Sequence, residues 1–265
     1  MKVYLSADIE GITDVTNWDE ADLPKAEFQA SREQMTAEVV AACEGALEAG
    51  ATEIWVKDAH DTARNLIAAR LPQAARLIRG WSGHPFMMAQ ELDHTFQAVL
   101  LVGYHSRAAS GTSPLAHTLT GAFTLVTING QPASEFLIQA YLGAYLKVPV
   151  VFIAGDKGVC DEAVEYNPHI ETVAVKEGIG NSTLNLHPEL ARARIRAGVL
   201  KALKGDPAQC LSPLPAHFTL EIQYRYAAKA YHNGFFPGAW QKDAVTVQFE
   251  ADDYYEVLRF LLFVS

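Results

Sequence analysis

The sequence predicts an α/β protein with a mainly parallel sheet, helices on both faces, and a smaller α+β portion at the carboxyl end. Two observations predict this class. Short continuous apolar runs, typical of strands buried on both faces, alternate with segments of helical period. Three of the runs end directly in residues that bind metals, and these runs are residues 3–5, 54–56 and 99–102.

The composition is that of a folded globular protein. Of its 265 residues 49% are hydrophobic and 20% are charged, which excludes a disordered chain. Twenty-one basic and 31 acidic residues give a net charge of −10, which argues against nucleic acid or an anionic membrane as a partner. The three cysteines form no C-x-x-C pair, and no signal-peptide pattern is recognisable, so we expect reduced thiols and a cytoplasmic location.

The first half of the chain predicts strands joined by helical crossovers. An aspartate-rich loop over residues 11–25 follows the first strand. A helix over 26–49 comes next, because its apolar side chains recur on one face and Gly50 closes it. The strand that reaches Lys57 then completes a parallel, right-handed unit. The next predicted elements are a short helix over 65–70, a strand over 77–80, a helical turn over 85–91 and a buried strand over 98–102.

The middle of the chain predicts a hairpin followed by further strands and helices. A loop of small and polar residues covers 106–114. The β-branched run 118–128 is followed by Asn129-Gly130, a typical hairpin turn. Ser134 begins a helix that runs to about residue 146. The remaining elements are a strand over 148–153, a helix over 161–165, a strand over 169–175 and a helix over 188–204.

A proline-rich stretch over residues 212–215 suggests a boundary between a catalytic domain, 1–211, and a C-terminal portion, 212–265. The alternative is a single domain over 1–265. The tail is predicted to be α+β and its aromatic residues to lie in the core or a subunit interface. Its elements are a strand over 218–222, a helix over 224–231, a strand over 244–249 and a helix over 252–263.

Acidic and histidine side chains stand at the carboxyl ends of three predicted strands. Asp8 and Glu10 follow the first strand, His60 follows the second and His105 the third. Ligands of open α/β sheets bind outside the carboxyl ends of the strands, so the four side chains can converge. Two neighbouring carboxylates repel each other unless a cation lies between them. A mixed carboxylate and imidazole set is typical of Zn²⁺ and its neighbours, so the sequence predicts a metal site.

Each of these residues has a plainer interpretation when it is taken alone. An Asp-x-Glu pair fits an exposed strand end, and a lone histidine is usually a surface or core residue. Asp58 is better explained as an orienting partner or helix cap than as a ligand. On the residues alone, Glu135 is better explained as the acidic companion of the Ser134 cap. The coincidence at three strand ends is what favours the metal.

A set of short motifs makes the interpretation more specific. They are Ser6–Gly11, Asp58–His60, Gly103–Ala108, Ala116–His117, Ile128–Gly130 with Glu135, and Ala154–Asp156. In this order and approximate spacing they resemble the D-aminopeptidase family, peptidase family M55. Each motif is weak by itself, but the ordered set is specific, and the similarity runs over essentially the whole chain.

The resemblance implies a zinc-dependent aminopeptidase that releases N-terminal D-amino acids from short peptides. It also implies a homodecamer. Two zinc ions per subunit, replaceable by Co²⁺ or Mn²⁺, would be held by five residues. Asp8 would bridge both ions, and the others would complete one ion each: Glu10 and His60 the first, His105 and Glu135 the second. His117 would be the catalytic histidine, as general base or as donor to the oxyanion.

The charges of such a site are balanced, since two divalent cations, three carboxylates and one hydroxide sum to zero. A hydroxide between two metals is the usual nucleophile of two-metal hydrolases. Two alternatives remain open at this point. The same ligands can clamp phosphate in a two-metal phosphoesterase, although no cluster of arginine or lysine lies near the site apart from Arg107. A non-catalytic, metal-bound component of peptide uptake is the other.

Overall fold

Twelve strands and six helices make up the chain, whose residues 1–265 are all described by the computed structural model. The strands are β1 (Lys2–Ala7), β2 (Glu53–Asp58), β3 (Ala75–Ile78), β4 (Ala98–Tyr104), β5 (Phe123–Ile128), β6 (Gln131–Pro132), β7 (Val150–Asp156), β8 (Glu171–Ile179), β9 (Ser182–Asn185), β10 (Phe218–Tyr224), β11 (Ala239–Gln241) and β12 (Thr246–Ala251). The helices are α1 (Phe28–Glu48), α2 (Glu135–Leu146), α3 (Lys157–Tyr166), α4 (Pro188–Lys204), α5 (Ala227–Asn233) and α6 (Tyr254–Val264). None of the helices combines the length and the apolarity needed to span a bilayer.

The larger sheet has seven strands in the order β3-β2-β1-β4-β7-β8-β9. All neighbouring strands are parallel except β8 and β9. β4 and β7 are buried at every position, as expected for parallel strands covered on both faces. α1 packs against α4, and α2 packs against α3. The predicted α/β class is confirmed.

The smaller sheet is antiparallel, with the strand order β11-β12-β10-β5-β6. β5 and β6 form the hairpin predicted around Asn129 and Gly130, and they pair with strands from the C-terminal tail. The tail therefore completes a sheet that begins in the middle of the chain. One hydrophobic core of 73 buried residues runs through both sheets. The division into residues 1–211 and 212–265 stays a prediction.

The structure departs from the predicted elements mainly at short segments. The helix predicted over 65–70 and the turn over 85–91 are single 3-10 turns at Ala68–Arg70 and Met87–Ala89. No strand was predicted at β9 or β11, which have four and three residues. Elements this short carry no measurable periodicity, and a neighbouring strand rather than local sequence determines their conformation.

At the carboxyl ends of β1, β4 and β7 the backbones approach too closely for side chains. A Cβ atom at Gly11 would lie 1.7 Å from the carbonyl oxygen of Tyr104, and one at Gly155 would lie 1.9 Å from the same oxygen. Gly103 has a φ of +76°, and its Cβ would lie 2.1 Å from the Asp8 carbonyl oxygen. Glycine is therefore required here, and bare backbone forms the base on which the candidate site stands.

A buried carboxylate helps to hold the loop that follows β1. Glu38 of α1 is fully buried, and its Oε1 accepts hydrogen bonds from the backbone N–H of Thr13 (3.1 Å) and from the amide of Gln34 (3.0 Å). Its Oε2 has no hydrogen-bond partner. Burial raises the pKa of Glu38 from 4.5 to about 7, although the bonds from Gln34 and Thr13 lower it in part.

We expect the Glu38→Gln variant to lose less stability than the wild type as the pH rises. The folded state holds the Glu38 proton more tightly than the unfolded state, so the wild type is progressively destabilised between pH 4.5 and about 7. The upper limit of the difference is about 3.5 kcal/mol, since the pKa rises by about 2.5 and one pKa unit corresponds to about 1.4 kcal/mol. Urea unfolding of both proteins at pH 5 and pH 7.5 measures it. Titration of other groups cancels in the comparison, and equal pH slopes would contradict the expectation.

Candidate metal centre

The structure brings the six residues selected from the sequence into one cluster. Asp8 and Glu10 come from the turn after β1, His60 follows β2 and His105 follows β4. Glu135 is the first residue of α2, whose cap is Ser134, with its hydroxyl 3.0 Å from the Leu137 N–H. The sixth residue is His117, from the segment between β4 and β5.

Asp8 lies between two groups of ligand atoms. Its Oδ1 is 3.3 Å from His60 Nδ1, and its Oδ2 is 3.5 Å from His105 Nε2. Glu10 Oε2 approaches the same His60 nitrogen at 3.1 Å, and Glu135 Oε2 approaches the same His105 nitrogen at 3.4 Å. Two groups of one imidazole and two carboxylates result, and Asp8 belongs to both.

His117 lies where the two groups meet. Its Nε2 is 3.9 Å from Glu10 Oε1 and 3.8 Å from Glu135 Oε1, and its ring stacks on His105 with centroids 4.2 Å apart. Its side chain is 13% exposed, more than any of the other five. Glu10, His105 and His117 also lie close enough to share an ion. The distances alone therefore allow His117 to be a ligand or a catalyst.

Each of the three imidazoles has one ring nitrogen beside a backbone carbonyl, which can accept a hydrogen bond from the N–H group at that nitrogen. These pairs are His60 Nε2 with Ala21 O (2.7 Å), His105 Nδ1 with Ser106 O (3.0 Å) and His117 Nδ1 with Leu115 O (2.9 Å). In the neutral tautomer that donates to the carbonyl, the other nitrogen presents its lone pair to the carboxylates. Lone pairs and carboxylates facing one another repel, unless a cation or a proton lies between them.

The unpaired atoms of the cluster fit this requirement. Glu10 Oε2, Glu135 Oε2 and His105 Nε2 are buried and have no hydrogen-bond partner. A buried polar atom without a partner costs about 1–3 kcal/mol. All three atoms face the interior of the cluster, and carboxylate oxygen with imidazole nitrogen is a zinc-binding combination. The residues present therefore fit metal cations.

The electrostatics of the cluster lead to the same requirement. Burial would lower the pKa of His60 and of His105, but the adjacent carboxylates raise both pKa values well above the usual range. Burial would raise the pKa of Glu10 and of Glu135, but the imidazoles lower both. Burial and the charge of Glu10 raise the pKa of Asp8 to about 6. The carboxylates thus need positive charge beside them, which protonated imidazoles or metal cations supply.

Comparison with known proteins identifies the family of this chain. The sequence model of peptidase family M55, described as D-aminopeptidase, matches residues 1–263. A D-aminopeptidase of Bacillus subtilis strain 168 is 33% identical over 268 residues, covering 100% of this chain and 97% of the relative. The chain belongs to the D-aminopeptidase family. The predicted family resemblance is confirmed.

A solved structure resembles this member of the family over its whole length. It is the zinc-dependent D-aminopeptidase DppA from Bacillus subtilis, described as a self-compartmentalizing protease. The TM-score is 0.92 at 31% sequence identity, and the match covers 100% of this chain and 96% of the other. The fold of the family is therefore present in full.

The carboxylates that end β2 and β7 hold the cluster of this family member in place without entering it. Asp58 accepts hydrogen bonds from the backbone N–H groups of Asn65 and Leu66, and Asn65 donates to the His60 carbonyl. Asp156 accepts from the backbone N–H and the hydroxyl of Ser106. The role of Asp58 as an orienting residue, expected from the sequence, agrees with these contacts.

Glu135 does not act mainly as the companion of the Ser134 cap, which was the plainer interpretation. Its Oε1 accepts a hydrogen bond from the Leu119 N–H at 2.7 Å, and its Oε2 faces His105. Leu119 has a φ of +62°, in the left-handed region, so an unusual backbone turn delivers this N–H. Glu135 thereby links the segment that carries His117 to the cluster.

Sequence reasoning missed several residues that shape the site. Lys176 of β8 is buried, and its ammonium group donates to the carbonyl oxygens of Glu10 and Val15, which fixes the loop after β1. Trp18 of that loop lies edge-on to His117, with ring centroids 5.2 Å apart. No motif or period marks either residue, because their roles arise from contacts across the fold.

A cavity of about 460 Å³ opens onto the cluster. Asp8, Glu10, His60, His117 and Glu135 contribute its polar lining. The rest of its lining includes Trp18, Asp61, Trp81, Met87, Met88, Leu119 and Leu262. No lysine or arginine lines it. The cavity therefore offers an anionic and apolar surface to a ligand, without a basic side chain for an anionic group.

Proposed function

We propose that this chain is a zinc-dependent aminopeptidase that releases N-terminal D-amino acids from short peptides. The observation that carries the proposal is the position of Asp8, whose two oxygens face two separate carboxylate–imidazole groups. The relatives support it, since one is called a D-aminopeptidase and the other a zinc-dependent D-aminopeptidase.

In this proposal two zinc ions are held by five residues, and Co²⁺ or Mn²⁺ can replace zinc. Asp8 would serve both ions, Glu10 and His60 would hold the first, and His105 and Glu135 would hold the second. When bound, the ions supply a Lewis acid for the scissile carbonyl and lower the pKa of water. Hydrogen bonds to backbone carbonyls orient the imidazoles of His60 and His105. Their other ring nitrogens therefore face the proposed ions without further rearrangement.

His117 is the proposed catalytic residue. When its Nδ1–H group donates a hydrogen bond to the Leu115 carbonyl, its Nε2 carries a lone pair and can accept a proton from the attacking water. Once protonated, the same nitrogen can donate to the developing oxyanion or to the leaving amine. Stacking on His105 and contact with Trp18 hold the ring in this orientation.

The lining of the cavity favours a peptide with a free amino group over a phosphate ester. A phosphate would find no lysine or arginine, since Arg107 donates to the Ala108 carbonyl and does not line the cavity. An ammonium group would find carboxylates, including that of Asp61. All five proposed ligands and His117 are present, which favours an enzyme over a non-catalytic uptake component.

The decisive experiment combines metal analysis with a substrate panel. We expect close to two zinc ions per chain and cleavage of di- and tripeptides that begin with a D-residue. N-acetylated peptides and phosphate esters should remain intact, because a buried carboxylate left without its ammonium partner is strongly unfavourable. Equal cleavage of acetylated and free peptides would refute the aminopeptidase assignment, and cleavage of phosphate esters alone would support the phosphoesterase.

We also propose a homo-oligomer, which the family resemblance suggests is a decamer. The solved relative is described as self-compartmentalizing. Four aromatic side chains in the C-terminal tail of this chain are each more than 60% exposed. They are Tyr226, Tyr231, Phe235 and Phe263. Tyr231 and Phe235 pack against each other, with ring centroids 5.1 Å apart. A second copy that covers this aromatic patch would remove it from water.

A further inference from the structure

One side of the cavity is an apolar wall formed by Trp81, Met87, Met88 and Leu262. Trp81 is 44% exposed although it lies within the cavity lining. A large aromatic side chain left accessible inside a cleft is unusual, because burying it would be favourable. The exposed ring therefore offers contact area to a ligand.

The apolar wall is held rigidly by the surrounding structure. The indole N–H of Trp81 donates to the Asp61 carbonyl at 2.6 Å, and the Lys57 ammonium lies 3.8 Å from the centre of the ring. Lys57 itself donates to the Gly80 carbonyl at 2.8 Å. The ring is thus fixed from its edge and from one face, and little conformational freedom is lost when a ligand binds.

The methionine segment is held to the main sheet in a similar way. The hydroxyl of Ser6, two residues before Asp8, donates to the Met88 carbonyl at 2.8 Å. Met87 has a φ of +44°, a left-handed conformation that is unfavourable for a residue with a side chain. Strained backbone that the surrounding structure enforces is typical of ligand-binding sites.

Both anchors place the apolar wall beside one half of the metal centre. Trp81 is hydrogen-bonded to Asp61, which follows His60 directly, and Met88 is hydrogen-bonded to β1, the strand that Asp8 follows. A peptide whose first carbonyl lay at Asp8 and His60 would have its first side chain within the same cavity as this wall. No lysine or arginine lines the cavity, so an acidic side chain would have no ammonium or guanidinium partner there.

We propose that the apolar wall is the binding site for the side chain of the released residue, and that the enzyme prefers peptides with a bulky apolar N-terminal residue. This inference rests on the proposed aminopeptidase function and names its substrate class. Discrimination follows from burial, because differences in apolar contact within a pocket change kcat/KM by roughly 10-fold or more.

The test measures kcat/KM for D-Leu-Gly-Gly, D-Ala-Gly-Gly and D-Asp-Gly-Gly with the metal-loaded protein. We expect D-Leu to exceed D-Ala by roughly 10- to 100-fold, and D-Asp to be the poorest substrate. Trp81→Ala should reduce the D-Leu to D-Ala ratio by roughly 10-fold, and Trp81→Phe should restore part of it. The ratio does not depend on the fraction of active enzyme, so partial misfolding does not affect the result.

Trp240→Ala is the matched control, because Trp240 is 42% exposed and does not line the cavity. Its ratio should equal that of the wild type. An unchanged ratio in Trp81→Ala, or a wild-type preference for D-Ala over D-Leu, would overturn the inference while the aminopeptidase function stands. Failure to cleave any of the peptides, with both ions bound, would instead overturn the proposed function.

Discussion

Replacing Asp8 with alanine should remove both zinc ions and reduce peptidase activity to background. The reason is geometric, since Asp8 Oδ1 lies by His60 and Oδ2 lies by His105. Deleting the side chain takes one ligand from each ion. If the ions leave, the other buried carboxylates have no metal cation to neutralise their charge. Metal analysis of the purified variant, with activity on a free D-peptide, measures the effect.

Two further variants make the Asp8 experiment specific. Asp61→Ala removes a carboxylate that lies in the same cavity lining but contacts none of the cluster imidazoles, so both ions should remain. Glu10→Ala removes a ligand from one group alone and should lower the occupancy of one ion more than that of the other. Full occupancy in Asp8→Ala would show that Asp8 does not bridge the ions.

The second large effect is expected for His117→Ala, which should keep both zinc ions while kcat falls by roughly 10²–10⁴-fold, the usual contribution of a positioned acid or base. His117 is the most exposed of the six residues, and each proposed ion has its own imidazole without it. The measurements are metal content and the pH profile of kcat for the wild type and the variant.

His94→Ala is the control for this experiment, because His94 is exposed, belongs to none of the candidate metal-binding groups and does not line the cavity. It should leave metal content and kcat unchanged. If His117→Ala lost an ion, His117 would be a ligand. That outcome would favour the third candidate group, Glu10 with His105 and His117, over the proposed division of roles.

The convergence of Asp8, Glu10, His60 and His105 could be predicted from the sequence alone. Their strands carry continuous apolar runs, and parallel strands bring their carboxyl ends to one edge. The separation of these residues along the sequence does not matter, because the order of the strands in the sheet determines which strand ends are neighbours. β1 pairs with both β2 and β4, so the residues that follow these three strands become neighbours.

Glu135 and His117 could not be placed in this way. Glu135 begins a helix that follows the hairpin of the smaller sheet, and His117 lies in a segment without regular period. Only the family resemblance predicted their roles from the sequence. Trp81 and Lys176 were missed because a cavity wall and a buried ammonium are products of tertiary packing, and no local pattern encodes them.

The position of Glu135 also has a consequence for folding. Four of the proposed ligands follow strands of the larger sheet, whereas Glu135 follows the hairpin that begins the smaller one. Ions bound at the cluster would therefore act as a cross-link between the two sheets. Their binding free energy would be lost if either sheet separated, so it would stabilise the hairpin and α2 as much as the strands of the parallel sheet. Metal binding would in this way strengthen the coupling that the shared hydrophobic core already provides between the two sheets.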